Sequence, residues 1–152
     1  MLAAIEWRFH HDTLRELVDD INGGKVDALL ILGGNPAYDA PGDFRVGEAL
    51  EKVAFTARLG LYEDETSALC QWHIPETHSL EAWSDARAWD GTASIVQPLI
   101  APLYGGKSAH DMLIGLSQTP GRAAYDVVRD TWKQAAADAK AEAPAAPGAS
   151  NA

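Results

Sequence analysis

The run Val26–Leu32, closed by Gly33-Gly34-Asn35-Pro36, constrains the fold more than any other part of this chain. An apolar stretch broken only by Asp27 and bounded by turn residues is the pattern of a strand buried on both faces of a parallel sheet. Before it, Thr13-Leu14-Arg15-Glu16 fits a capping box, and Leu14, Leu17, Val18 and Ile21 recur at helical spacing. That predicts a helix from about Thr13 to Asn22, ended by Gly23-Gly24. After it, Pro41-Gly42 precedes a predicted helix over about Asp43–Lys52, with Val46, Ala49, Leu50 and Val53 on one face. Ala54–Tyr62 reads as the second strand. Strand, helix, strand makes a βαβ crossover, so the expected fold class is α/β with a parallel sheet.

Ligands of such sheets bind outside the carboxyl ends of the strands. Here those ends are Gly33-Gly34-Asn35-Pro36 and Glu63-Asp64-Glu65-Thr66, two loops expected to lie side by side. Glycines admit a ligand close to the backbone, and an Asn amide can bond a ligand's edge, although the same residues also build an ordinary tight turn. The acidic run reads either as paired carboxylates for acid–base work or as the acidic start of a helix, where carboxylates oppose the helix dipole. Neither a Gly-x-Gly-x-x-Gly loop nor a Gly-x-Ser-x-Gly elbow is present.

Further along, Thr66–Gln71 is predicted to make one or two helical turns, Trp72–Pro75 and Ala93–Leu103 to be extended, and Asp85-Ala86-Arg87 and Asp90-Gly91-Thr92 to be surface turns. Helices are predicted over about Ser108–Leu116 and Ala123–Ala139. Cys70, His73 and His78, with Glu76 and Glu81, supply ligand types that zinc accepts, at a spacing that matches no compact finger. Trp72, Trp83, Trp89 and Trp132 read as core or interface anchors, and the stretch from Trp72 to Trp89 as a docking surface for partners.

Composition narrows the function classes. Twelve Lys and Arg against 22 Asp and Glu leave a net charge of -10, a field that repels nucleic-acid phosphates. One cysteine allows no internal disulfide and no Cys-x-x-Cys ligation of zinc or an iron–sulfur cluster. No apolar run approaches the roughly 20 residues that span a bilayer. At the N-terminus Glu6 interrupts the apolar residues and Arg8 follows them, which is not a signal-peptide order. The Ala/Pro-rich end, Ala143–Ser150, lacks large apolar side chains and reads as linker.

Several motifs resemble a known family. Val26-Asp27-Ala28-Leu29-Leu30-Ile31-Leu32-Gly33-Gly34-Asn35-Pro36 is similar to the strand and Gly-x-Asn-Pro loop of molybdopterin oxidoreductases of the dimethyl-sulfoxide-reductase superfamily. Glu65-Thr66, then Cys70-Gln71-Trp72-His73-Ile74-Pro75 and Glu81, resemble that family's Glu-Thr, Ala-Asp-x-x-Leu-Pro and later Glu, with Gln71 standing where the family usually has Asp. Leu59–Thr66, Leu80–Arg87 and Ile95–Gly106 look more specifically like the molybdopterin-like part of the large iron–sulfur subunit of alternative complex III, a quinol-oxidising respiratory complex.

The resemblance implies a molybdopterin-oxidoreductase-type α/β domain over residues 13–132, preceded by a lead-in over 1–12 and followed by a helix end and Ala/Pro linker over 133–152. It implies a fragment of a larger subunit, with no cofactor in this chain, iron–sulfur clusters on the missing portion, and a scaffold role in quinol-to-acceptor electron transfer. Its partners would be the other subunits of a membrane-bound respiratory complex, on the periplasmic side of the inner membrane. Gly33, Gly34, Asn35, Pro36, Glu65 and Thr66 would occupy the pterin-contacting positions, and no catalytic or metal-binding residue is assigned. Two alternatives stand beside it: a domain that binds molybdopterin guanine dinucleotide in a catalytic molybdoenzyme, and a free-standing metal or small-molecule module using Cys70, His73 and His78.

Overall fold

The computed structural model describes residues 10–142. The expectations for the lead-in before residue 10 and for the linker from residue 143 lie outside the described residues. The described residues form two compact units: 10–78 together with Pro102–Ala109, and Ser79–Ala101 together with 110–142.

The first unit is built as the hydrophobic pattern dictates. Helix α1 (His10–Asn22) is followed by strand β1 (Ala28–Leu32), helix α2 (Pro36–Asp39), a 3-10 turn (Gly42–Phe44), helix α3 (Val46–Leu50), strand β2 (Phe55–Gly60), helix α4 (Glu65–Leu69) and strand β3 (Trp72–Pro75). The sheet is parallel in the order β1-β2-β3, with Leu30 opposite Ala57 and Arg58 opposite His73. Val18 and Ile21 of α1 pack with Val46, Ala49, Leu50 and Val53 in one buried cluster, against which Leu29 and Ile31 of β1 rest. Each fully buried Val, Ile or Leu among them withdraws enough apolar surface to contribute about 1.5–3 kcal/mol. Pro102–Ala109 extends the sheet edge: Lys107 N donates to Pro75 O at 2.9 Å and Thr77 N donates to Lys107 O at 3.1 Å. Gly106 permits this approach, because a Cβ there would stand 3.1 Å from Pro75 O.

Three expectations need correction. β1 is not buried on both faces: its ends are exposed and its middle half-buried, because it is the outermost strand. The pattern predicted for it belongs to the central β2, where five of six residues are buried. The helix expected over Asp43–Lys52 is split, because Arg45 adopts the left-handed conformation (φ 50°) between the 3-10 turn and α3. This break lets Phe44 enter the core, with the Arg15 guanidinium 4.4 Å over its ring.

The third correction lies in the second unit. Ser84–Arg87 is strand β4, not a turn, and pairs antiparallel with β5 (Ala93–Val96). The turn is confined to the hairpin tip, where Ala88 N donates to Thr92 O and Thr92 N to Asp90 Oδ1. Extension beyond Val96 stops before Pro98, which has no N–H for a ladder. Helices α5 (Ala109–Leu116) and α6 (Ala124–Glu142) follow, α6 running past its predicted end. β4 is held to α6 by Trp132 Nε1, which donates to Asp85 Oδ2 at 2.9 Å, and Trp83 meets Tyr125 edge-to-face at 4.9 Å. Trp89, at the hairpin tip, is 99% exposed and is therefore no core anchor.

Candidate functional site

The two loops at the carboxyl ends of β1 and β2 do lie side by side, and three side chains join them. Asn35 Nδ2 donates to Glu65 Oε2 at 2.7 Å, while Asn35 Oδ1 accepts from Thr66 N at 3.2 Å and Thr66 Oγ1 at 2.7 Å. The Thr66 hydroxyl also accepts from Ala37 N at 3.0 Å. Asn35 and Pro36 enter from the turn that opens α2, and Glu65 and Thr66 are the first residues of α4. The hydrogen bond from Asn35 holds the Glu65 carboxyl below its ordinary pKa. Gly33 and Gly34 both sit at φ 67°, where a side chain is strained, with open space beside them. An open groove of about 550 Å³ runs past Gly34, Asn35 and Pro36, walled by Leu14, Asp39 and Pro41.

The acidic run resolves into a helix start. Asp64 is the N-cap of α4, its Oδ1 accepting from Ser67 N at 2.9 Å. Its carboxylate has a second partner that the sequence did not announce: Arg58, on the central strand and 4% exposed, donates Nε to Asp64 Oδ1 at 3.1 Å and Nη2 to Asp64 Oδ2. Arg58 Nη1 donates to Leu59 O at 2.9 Å, so the buried guanidinium is bonded on three sides. This fork holds the Asp64 carboxyl far below the usual carboxylate range and raises Arg58 further. The one signal that could have found it is an arginine in the middle of an apolar strand followed six residues later by an aspartate.

Gln71, which replaces the family's usual Asp, uses both ends of its amide. Nε2 donates to Ala54 O at 2.9 Å, and Oε1 accepts from Thr56 N at 3.4 Å. An ionised Asp accepts only and could not make the first bond.

The alternative metal set is not assembled. His73 Nδ1 lies 3.0 Å from Ser67 Oγ, and Cys70 is half-buried, its thiol pKa raised by that burial. Among the described residues no three His, Cys, Asp or Glu side chains stand together as a metal-binding group. Among the described residues one buried side-chain polar atom has no hydrogen-bond partner, the Thr77 hydroxyl just past the end of β3. No described helix is long and apolar enough to cross a membrane.

No family model matches the chain. Among curated proteins it is similar to the menaquinone reductase, molybdopterin-binding-like subunit, of Nitratidesulfovibrio vulgaris, at 33% identity over 93 residues. That match covers 59% of this chain and 14% of the relative. It is also similar to a tetrathionate reductase subunit of Salmonella typhimurium, at 36% identity over 78 residues, 45% of this chain and 8% of that protein. These partial similarities support a relationship to molybdopterin oxidoreductases, of whose subunits the chain spans a small part.

Proposed function

We propose that the chain is a molybdopterin-oxidoreductase-related α/β scaffold in which the ancestral cofactor loops have become a structural latch. The observation that carries this reading is the mutual bonding of Asn35, Glu65 and Thr66. A pterin or guanine edge is recognised by side-chain donors and acceptors, and here both ends of the Asn35 amide already hold α4, while the Thr66 hydroxyl is engaged on two sides. These commitments of the Asn35 amide and the Thr66 hydroxyl to the facing helix support a structural role at these positions. Gly33, Gly34, Asn35, Pro36, Glu65 and Thr66 remain the positions a cofactor would have lined, and the groove beside them is the space it would have used.

In the finer reading, the scaffold serves the large iron–sulfur subunit of an alternative-complex-III-type assembly on the periplasmic side of the membrane, where clusters on other segments carry electrons from quinol to an acceptor. The sequence resemblance of Leu59–Thr66, Leu80–Arg87 and Ile95–Gly106 supports it, while the similarity to a subunit named molybdopterin-binding-like supports the broader molybdopterin-oxidoreductase relationship alone. The test is metal analysis by mass spectrometry, with pterin fluorescence after oxidative release, on the native assembly purified through this chain. The scaffold reading expects clusters but neither molybdenum nor pterin assignable to this polypeptide. Stoichiometric molybdenum and pterin, lost on Asn35→Ala or Thr66→Val substitution, would overturn it in favour of a nucleotide-binding domain.

A further inference from the structure

Of the three asparagines in the chain, one is followed by glycine: Asn22, in Asn22-Gly23-Gly24. That pair carries its own chemistry. Once the Gly23 amide nitrogen loses its proton it can attack Asn22 Cγ. The N–Cγ bond forms, the Cγ–Nδ2 bond breaks, and the displaced nitrogen leaves with a proton as ammonia. Water then opens the resulting succinimide to aspartate or isoaspartate. Glycine brings no Cβ to hinder the attack. Asn35 is closed to this route, because Pro36 has no N–H to deprotonate.

The fold keeps the two reacting groups apart. Asn22 is the last residue of α1 and is exposed. Gly23 N donates to Asp19 O at 2.8 Å, and Gly24 N to Ile21 O and Lys25 N to Asp20 O, each at 3.0 Å, close the turn behind it. An amide held in this way gives up its proton only when the bond opens. The Cα–Cβ bond of a helical residue tilts toward the N-terminus, away from the following amide. Lys52, just beyond α3, fixes the side chain further by donating Nζ to Asn22 Oδ1 at 2.6 Å. Its charge polarises the carbonyl, but a polarised Cγ with no free nucleophile does not react. We propose that Asn22-Gly23 is a gated modification site, inert while the last turn of α1 is closed and Lys52 holds the amide, and converted to aspartate or isoaspartate when that turn opens. Either product puts a carboxylate at the negative end of the α1 dipole, within one turn of Asp19 and Asp20 and with no basic residue in that turn. Isoaspartate also lengthens the backbone inside the closed turn.

Peptide mapping of the full chain by mass spectrometry, after incubation at mildly alkaline pH, reads the conversion at Asn22, and an isoaspartate-specific methyltransferase distinguishes the two products. Conversion should run at least about tenfold slower in the folded chain than in the same chain in urea, in step with protection of the Gly23 amide against hydrogen exchange. Asn35 should stay unmodified even in urea, which marks the route through the following amide. Lys52→Met removes the tie while keeping the stem, and should speed conversion about threefold or more and loosen Gly23 exchange. Four results would overturn the proposal: equal conversion, or none, in the folded and the urea-treated chain; a Gly23 amide that exchanges freely in the folded chain; modification of Asn35 alongside Asn22; or a Lys52→Met rate at or below that of the parent. The comparison of folded with urea-treated parent needs no substitution, so it decides even where the Lys52 variant fails to fold.

Discussion

Arg58 and Asp64 form a nearly buried ion pair between the central strand and the cap of α4, with side chains 5% and 20% exposed. The same Asp64 carboxylate caps the helix that delivers Glu65 and Thr66 to Asn35, so the latch between the loops depends on a charge pair one layer beneath it. Asp64→Asn leaves the guanidinium buried without its counter-charge. Removing one partner of a buried pair costs about 3–5 kcal/mol; the partial exposure of Asp64 places this case near the lower end. Urea unfolding measures it, and a loss under about 1 kcal/mol would mean that water already solvates the pair.

The same pair sets the acid limit of the fold. Because the folded-state pKa of Asp64 is depressed below its ordinary 3.8, its contribution is fully present above that value and is lost as pH falls toward the folded pKa. Stability should therefore decline steeply below about pH 4. Unfolding midpoints followed from pH 7 to pH 2 should show this slope in the parent and a shallower one in Asp64→Asn; parallel slopes would remove Asp64 as its origin.

Thr66 is fully buried, and its hydroxyl both donates to Asn35 and accepts from Ala37 N. Thr66→Val keeps the shape, strands Ala37 N and leaves Asn35 Oδ1 with its bond from Thr66 N, at a cost of about 1–3 kcal/mol. Faster amide exchange at Ala37 would locate the loss at the latch, whereas an unchanged rate there would show that the two loops hold together without it.

Gly60 faces the arginine directly. A Cβ at this position would stand 3.0 Å from Arg58 Cζ and 3.1 Å from both terminal nitrogens. Gly60→Ala should cost about 1–3 kcal/mol through displacement of that fork. Gly42→Ala, where a Cβ meets nothing within 4 Å, is the control and should be neutral within about 0.5 kcal/mol. Equal effects at the two positions would contradict the packing drawn around Arg58.

The buried Thr77 hydroxyl has no bonding partner among the described residues. Replacing it by a methyl group removes an uncompensated desolvation, so Thr77→Val should be neutral or stabilising by up to about 1 kcal/mol in thermal unfolding. Destabilisation beyond that would reveal a partner for the hydroxyl in solution.

Local pattern and turn chemistry alone determined a good part of this protein. The apolar positions of α1 and α3, the parallel crossover and the adjacency of Asn35 to Glu65-Thr66 follow from hydrophobic period and chain connectivity, which are properties of neighbouring residues. Tertiary structure decided the rest, because it depends on what stands opposite in space. A run of apolar residues cannot say whether it is central or outermost, so the burial expected of β1 is found at β2 instead. Arg58 in an apolar strand acquires meaning only when Asp64 closes over it, and Ser84–Arg87 becomes a strand only when Ala93–Val96 pairs with it and Trp132 engages Asp85. The Asn35 amide shows the limit most plainly: its donor and acceptor were legible in the sequence, but their commitment to the facing helix is set by geometry between elements thirty residues apart.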